Sequence, residues 1–232
     1  MQKIASLSAG RHWKTSYTWV WRDLTECAIP DIRSTIDMIL AAYPGRPLAF
    51  LSSPKERAVG TAEVWQEIVI ERGVEVEPKI DIRDGFRAID IHDRPKVDVI
   101  VNRVLWDTKW VDDRIRIFDA YYATAPEFDA PENIPFWEMR SHVEKRFITN
   151  LLLLGKEIQD WWNHALHRVL ITHFELLNGN LSRWFGLDGK SKWFIKPAEA
   201  AHFELFSNKS GSSVEAKVVF RGEEKVVGLI WE

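Results

Sequence analysis

The chain has 232 residues, 46% of them hydrophobic, which is long enough to bury a substantial core and favours one large domain over two small ones. Its 31 basic and 34 acidic residues give a formal net charge of -3, so the composition favours neither a nucleic-acid partner nor an anionic membrane surface. The single cysteine, Cys27, excludes an intramolecular disulfide, and no stretch approaches the ~18 apolar residues of a membrane span. Because the N-terminus also lacks a signal-peptide pattern, we predict a cytoplasmic protein.

The first third of the chain alternates between short apolar runs and helical stripes. Residues 4–8 predict a buried strand, and apolar residues at helical spacing over 32–43 predict a helix that ends at the PGRP stretch. A second strand over 48–51 leads into a second helical stripe over 58–69, which stops at Gly73. This βαβα order is typical of a parallel sheet with crossover helices.

The middle of the chain is less regular. Clustered charges and prolines over 80–136 predict an inserted, lid-like region, and its aromatic residues suggest selection of a bulky or partly apolar ester. A long amphipathic helix over 143–161 follows, then a strand over 169–171 and a helix that ends near Gly186.

The tail alternates apolar and polar residues over 214–220, continues as EKVVGLIWE, and predicts an antiparallel pair at the sheet edge. No internal repeat or linker divides the chain, so we expect a single domain over residues 1–232. The predicted fold is α/β, a three-layer αβα sandwich with a mostly parallel central sheet.

Arginine and histidine side chains follow three of the predicted strands. The first strand ends at Arg11 and His12, the second runs into Ser-Ser-Pro and Arg57, and a later one ends at His173. Ligands of open α/β sheets bind outside the carboxyl ends of the strands. Guanidinium groups bind phosphate oxygens, and a histidine can attack a phosphoryl group. If these strands are neighbours, the four side chains form an anion site of phosphate size.

These motifs resemble those of the histidine phosphatase superfamily, whose members have the phosphoglycerate mutase-like fold. RHWKT at 11–15 is similar to the Arg-His-Gly-x-Thr signature, and a Leu-Thr pair follows at 24–25 as in the superfamily. SSPKERAVGTA at 52–62 resembles the Ser-Ser-Pro-x-x-Arg-Ala-x-x-Thr-Ala block, and VLITHFELL resembles the strand that carries the second superfamily histidine. A weaker match joins Glu138 and Arg146, which have the eight-residue separation of a superfamily Glu and Arg.

The resemblance implies a phosphomonoesterase that works through a phosphohistidine, with no cofactor and no metal. His12 is the implied nucleophile, and the implied ligands of the phosphoryl oxygens are Arg11, Arg57 and His173. Residues that we expect to contact the substrate are Thr15, Trp13, Glu138 and Glu175. The implied partner is a small phosphorylated substrate, and a homodimer is left open.

The acid that protonates the leaving oxygen is less well defined. Superfamily members usually carry this Glu a few residues before a Gly, after the second helix. Aligning on Gly85 places Asp81 there, whereas aligning on Ile80 places Ile82 there and leaves no acid. Asp84 begins the same turn and is a third candidate. We take Asp81 as the primary candidate.

Glu175 is a further candidate acid, because some members of a second superfamily branch place their acid just after the second histidine, although the spacing here differs by one. Phe174 and Glu175 also replace the Gly pair that commonly follows that histidine, and Trp13 replaces the signature's Gly. These departures predict a narrowed pocket and keep open a pseudophosphatase that binds phosphate esters without turnover.

A phosphoglycerate mutase-type phosphotransferase and a metal hydrolase are weaker alternatives. The phosphotransferase is disfavoured because the motifs of the mutases are absent from the chain. A metal hydrolase lacks a standard ligand spacing, and its candidate ligands are His164, His167 and His173.

Overall fold

A computed structural model describes residues 1–12, 28–99, 129–160, 165–186, 195–208 and 214–229. Its strands are β1 (Gln2–Arg11), β2 (Leu48–Ser52), β3 (Asp81–Ile82), β4 (His167–Thr172), β5 (Ala200–Ser207), β6 (Val214–Phe220) and β7 (Glu223–Leu229). Its helices are α1 (Ala28–Ala42), α2 (Glu56–Glu71), α3 (Arg140–Asp160) and α4 (Phe174–Phe185), with short 3-10 turns at Asp84–Phe86 and Pro131–Asn133.

The strands form one sheet in the order β3-β2-β4-β1-β5-β6-β7. The pairings from β3 to β1 are parallel, as the βαβα pattern predicts. The pairings from β1 to β7 are antiparallel and include the predicted tail pair, β6 with β7. Between that pair and β1 lies β5, which the sequence analysis did not single out. The sheet is therefore parallel on one side and antiparallel on the other.

Helices cover both faces of the sheet and confirm the three-layer α/β prediction. One apolar cluster joins α1 and α2 to β2 and β4. A larger cluster on the opposite face joins α3 and α4 to β1, β4, β5 and β6. The central strand β4 is buried along its whole length because it has a paired strand on each side and helices above and below.

Gly10 in β1 allows α2 to pack closely against the end of that strand. A Cβ atom at Gly10 would lie 3.1 Å from Cη2 of Trp65, which is fully buried in α2. This close approach brings α2 beside the carboxyl end of β1. The strand ends at Arg11 and α2 begins at Glu56, next to Arg57.

Several predicted features lie outside the described residues: Trp13, Thr15, the Leu-Thr pair at 24–25, Cys27, His164 and residues 100–128 of the predicted lid-like region. No helix in the ranges that the structure describes is long and apolar enough to cross a membrane.

Candidate active site

The carboxyl ends of β1, β2 and β4 meet at one edge of the sheet, as the motif argument requires. In register, Arg11 of β1 lies beside Thr172 of β4, and Ser52 of β2 lies beside Ile171. Backbone hydrogen bonds continue one residue past each strand: His12 N–H donates to Thr172 O at 2.9 Å, and Ser53 N–H donates to Ile171 O at 3.0 Å. The three chains therefore leave the sheet side by side.

The two predicted histidines contact each other at this edge. The ring centroids of His12 and His173 lie 4.9 Å apart, and the ring planes meet at 62°, an edge-to-face arrangement. His173 is fully buried, whereas His12 is half-buried. The structure thus places the implied nucleophile on the more open side of the pair.

Hydrogen bonds determine the tautomer of His173. Arg57 Nη2 lies 3.3 Å from Nδ1 of His173, and a guanidinium only donates, so Nδ1 accepts. The ring proton is therefore on Nε2, which donates to Ser53 Oγ at 2.7 Å. Burial lowers the pKa of His173 well below its ordinary value, and the neighbouring His12 and Arg57 lower this pKa further. His173 is accordingly a neutral imidazole with a defined orientation.

Arg57 has a guanidinium N–H that bonds to no described residue. Its Nε atom is buried and has no hydrogen-bond partner among the described residues. A buried N–H without a partner is costly, so such groups in native structures call for an explanation. A phosphate oxygen is a suitable acceptor because guanidinium and phosphate match in geometry and charge.

Arg11 is buried and ends β1, directly before His12. Its Nη1 donates to Ile195 O at 2.9 Å, and its guanidinium carbon lies 4.8 Å from the centroid of the Phe174 ring. The sequence predicts that Phe174 narrows the pocket. The structure instead buries this ring in the core, where its face supports the Arg11 guanidinium.

The described contacts of Asp81, the primary candidate acid, are with β2 and with Arg83. Asp81 lies beside Leu51 in register, and its Oδ2 accepts from Arg83 Nε at 2.6 Å. The same Arg83 makes two hydrogen bonds to Glu157 of α3, at 3.0 and 2.8 Å. Arg83 therefore links the carboxylate of Asp81 to Glu157 on the α3 face, and the acid role of Asp81 stays a prediction.

The other two candidate acids differ in burial. Asp84 is exposed and accepts from Arg87 Nη1 at 3.0 Å. Glu175 is buried in the first turn of α4, directly after His173, and makes no hydrogen bond to another described residue. Of the candidates, Glu175 is the buried carboxyl closest in the chain to the histidine pair.

Glu138, which we expect to contact the substrate, pairs with Arg146 through two hydrogen bonds, at 2.9 and 2.8 Å. Arg146 also donates to the backbone oxygens of Gly85 and Arg87, at 2.9 and 3.0 Å. Glu138 accepts from the backbone N–H of Asp90 at 3.3 Å. The Glu138–Arg146 pair therefore holds the segment 85–90 in place beside the site.

Ser53 contacts His173, and the sequence analysis did not single it out, although it lies within the quoted Ser-Ser-Pro motif. Its hydroxyl is the acceptor that orients His173, and it also accepts from the backbone N–H of Lys55 at 3.3 Å. The Ser-Ser-Pro motif could have indicated this role, because Ser53 follows β2, and β2 pairs with β4, the strand that His173 follows.

The metal-hydrolase alternative is not supported by the histidines that the structure describes. His167 begins β4 and His173 directly follows it, so six residues of extended chain, ~20 Å, separate them. Within the described ranges, no group of three His, Cys, Asp or Glu side chains is placed to hold a metal ion.

No protein-family model and no curated protein sequence matches this chain. Solved structures do match it along nearly its whole length. A mycobacterial glucosyl-3-phosphoglycerate phosphatase aligns with a TM-score of 0.53 at 17% sequence identity, covering 98% of each chain. A phosphoglycerate mutase from Bacillus anthracis aligns with a TM-score of 0.55 at 13% identity, covering 98% of this chain and 93% of the other.

A third structure, YhfR from Bacillus stearothermophilus, aligns with a TM-score of 0.55 at 18% identity, covering 94% of this chain and 97% of the other. At such low identities the likeness establishes the fold alone. This chain has the phosphoglycerate mutase-like fold that its RHWKT and SSPKERA motifs predict.

Proposed function

We propose that this protein is a phosphomonoesterase of the histidine phosphatase superfamily and that it works through a phosphohistidine on His12. The observation that carries the proposal is the convergence of His12, His173, Arg11 and Arg57 at the carboxyl ends of three neighbouring strands. The buried Arg57 Nε without a described partner supports an anionic ligand there. Structures of the mycobacterial phosphatase were determined with inorganic phosphate and with VO3.

The proposed reaction has two displacements at phosphorus. A neutral ring nitrogen of His12 attacks the phosphorus, the bond from phosphorus to the ester oxygen breaks, and the leaving oxygen takes a proton and departs as an alcohol. Water then attacks the phosphohistidine, the phosphorus–nitrogen bond breaks, and inorganic phosphate is released. Arg11 and Arg57 stabilise the charge on the equatorial oxygens in both steps.

Neutral His173 has a positioning role in this proposal. Its Nδ1 accepts from Arg57 and its Nε2–H donates to Ser53, so the ring links the guanidinium to the end of β2. The edge of the ring also packs against His12. An orientation held from three sides keeps the nucleophile and the anion-binding groups in one arrangement.

We assign the proton for the leaving oxygen to Glu175, which is buried two residues after His173 and has no described hydrogen-bond partner. Nitrophenolate leaves readily without a proton, whereas an alkoxide does not. Glu175→Gln is therefore expected to lower kcat on an alkyl phosphate at least ~100-fold and to lower kcat on p-nitrophenyl phosphate far less. Equal losses on both esters would contradict the assignment, and Asp84→Asn is the matched comparison.

The proposal as a whole is tested by p-nitrophenyl phosphate hydrolysis at mildly acidic to neutral pH. The wild type is expected to release phosphate, and His12→Ala is expected to abolish release and the trapped phosphoryl group on residue 12. His142→Ala, an exposed histidine of α3, is the matched control. Undiminished activity of His12→Ala would overturn the mechanism.

The pseudophosphatase remains the second candidate because Trp13 replaces a signature glycine. It predicts that calorimetry detects phosphate-ester binding by the wild type while no phosphate is released. Rapid turnover of any phosphomonoester would exclude it.

A further inference from the structure

Arg11 lies against a short segment, residues 195–199, that directly precedes β5. The backbone N–H of Arg11 donates to Glu199 O at 3.0 Å, and the backbone oxygen of Arg11 accepts from the N–H of Ala198 at 3.0 Å. The side chain of Arg11 contacts the other end of the segment, where Nη1 donates to Ile195 O at 2.9 Å. The position of the guanidinium therefore depends on the position of this segment.

Asn178 of α4 holds the residue that the Arg11 guanidinium contacts. Its side chain is buried, and its Oδ1 accepts from the backbone N–H of Ile195 at 3.2 Å. Because a backbone N–H only donates, the oxygen of the amide must face it, and Nδ2 donates to Ser182 Oγ at 3.4 Å. Ile195 is thus bound to α4 through its N–H and to Arg11 through its backbone oxygen.

The helix α4 supports the Arg11 guanidinium in two ways. Phe174 and Asn178 are four residues apart and therefore lie on the same face of the helix. The ring of Phe174 contacts the guanidinium directly, with 4.8 Å between the guanidinium carbon and the ring centroid, whereas Asn178 acts through Ile195. Since α4 begins directly after His173, one helix joins this histidine to two supports of Arg11.

The segment 195–199 is fixed at both of its ends. Ala198 has a φ of 62°, a left-handed conformation that costs free energy for a residue with a Cβ and persists where surrounding contacts determine it. The carboxylate of Glu199 accepts from the N–H of Lys196 at 2.7 Å and from Arg221 at 2.6 and 2.7 Å. Arg221 therefore holds the end at Glu199, and Asn178 holds the end at Ile195.

We propose that Asn178 is a positioning residue of the candidate active site, which holds the Arg11 guanidinium in place through the backbone of Ile195. This inference rests on the proposed phosphatase function and adds a residue that prepares its anion site. An arginine side chain loses much rotamer freedom when it is ordered, so a guanidinium fixed in advance binds a phosphoryl oxygen at a lower entropic cost. Loss of the acceptor at residue 178 would leave the N–H of Ile195 without its partner and release the segment.

The test is a double-mutant cycle on the affinity for inorganic phosphate, measured by isothermal titration. Asn178→Leu keeps a side chain of similar size but has no acceptor, and its phosphate affinity is expected to fall ~5- to 20-fold, part of the effect of a hydrogen bond to a charged group. In an Arg11→Met background, Asn178→Leu is expected to change the affinity less than ~2-fold, because the group that Asn178 positions is gone. Asn178→Ala, which favours the helix, serves as a second variant in the same cycle.

Asn180→Leu is the matched control, because Asn180 is also a buried asparagine of α4, but its Nδ2 donates to the backbone oxygens of Glu144 and Leu176, at 3.3 and 3.0 Å. This variant is expected to lose stability in urea unfolding and to keep the phosphate affinity of the wild type. A purely structural role of Asn178 would instead give a loss of affinity that persists in the Arg11→Met background.

The outcomes separate this inference from the phosphatase proposal. Wild-type affinity in Asn178→Leu and Asn178→Ala, or an equal loss with and without Arg11, would overturn the positioning role and leave the phosphatase proposal standing. Phosphate binding by the wild type without hydrolysis of p-nitrophenyl phosphate would instead overturn the phosphatase proposal, and the same titrations would still decide the role of Asn178.

Discussion

The two histidines of the site share one cluster but have different chemical environments. His173 is fully buried between a guanidinium donor and a serine hydroxyl, and burial lowers its pKa well below the ordinary value. His12 is half-buried, on the side from which a substrate can approach. A nucleophile must be accessible to the substrate, so this difference in burial supports the proposal that His12 rather than His173 attacks the phosphorus.

Arg57 provides a direct test of the anion site. Arg57→Ala removes a guanidinium that contacts His173 and carries a buried N–H, so phosphate affinity is expected to fall ~10- to 100-fold. Isothermal titration with inorganic phosphate measures this change. Arg33→Ala, an exposed arginine of α1 that pairs with Glu71, is the control. Unchanged affinity in Arg57→Ala would mean that phosphate binds elsewhere.

At the scale of elements, the segment that follows β3 is held by side chains at the start of α3. The Glu138–Arg146 pair, at the start of α3, supports the backbone from Gly85 to Asp90. Side-chain exposures of 14% and 13% show that this pair is largely shielded from water. Removing one partner leaves the other charge partly buried and the backbone oxygens without donors.

Arg146→Met is therefore expected to lower the free energy of unfolding by about 1–3 kcal/mol and to speed amide exchange over residues 85–90. Urea unfolding followed by hydrogen-exchange mass spectrometry measures both effects. The exposed pair of Arg94 and Asp98 is the control, since Asp98→Asn is expected to change stability by less than ~0.5 kcal/mol. Equal exchange in wild type and Arg146→Met would contradict the holding role.

Much of this arrangement was predictable from sequence because local patterns carry it. Apolar periodicity marks β1, α1, β2, α2 and β4. The positions of Arg11 and His12 at the end of β1, of Arg57 at the start of α2 and of His173 after β4 follow from those elements. The strand β5 was missed although its side chains alternate between half-buried and buried, because its partner β1 lies about 200 residues away in the chain and an alternating run does not show where it pairs.

The role of Asp81 was not predictable, because register decides which face of a strand a side chain occupies. Asp81 and Ile82 are neighbours, and a one-residue shift exchanges their faces. The structure pairs Asp81 with Leu51, on the face that packs against α3, and Ile82 with Ser52. Alignment on Gly85 or on Ile80 gives different answers for the acid, and the sequence alone does not specify the register of β3 against β2.

At the scale of the whole molecule, a second polar cluster joins the opposite end of the sheet to the segment between α1 and β2. Arg46 donates to Ser6 Oγ at 3.4 Å, and Ser6 Oγ lies 3.0 Å from Nδ1 of His167. Ser8 Oγ lies 2.8 Å from Nε2 of His167 and 2.7 Å from Nδ1 of His202, so hydrogen bonds through Ser8 join the two imidazoles. Burial of this cluster disfavours the charged form of both imidazoles.

The neutral histidines make stability depend on pH. Burial lowers the pKa of His167 to about 3, with smaller contributions from His202 and Arg46, and burial also lowers the pKa of His202. Because the unfolded chain binds these protons first, the stabilising contribution is complete above ~pH 6.5 and is lost as the pH falls toward 3. At about pH 4.5, the low pKa of His167 alone is expected to lower the free energy of unfolding by about 2–3 kcal/mol relative to neutral pH.

Urea unfolding at a series of pH values measures this loss. His167→Asn is expected to be less stable than the wild type at neutral pH but to show a shallower decline as the solution is acidified. Wild-type stability that stays constant between about pH 6.5 and pH 4.5 would contradict the neutral cluster.

The buried Arg57 Nε also has a thermodynamic consequence for handling the protein. An anion that binds this N–H in the folded state and not in the unfolded state stabilises the fold by about 1.4 kcal/mol for each tenfold excess over its dissociation constant. Phosphate or sulfate buffers are therefore expected to raise the melting temperature relative to a zwitterionic buffer of equal ionic strength. This ion-specific gain should disappear in Arg57→Ala, so the choice of buffer salt becomes an assay of the site that needs no substrate.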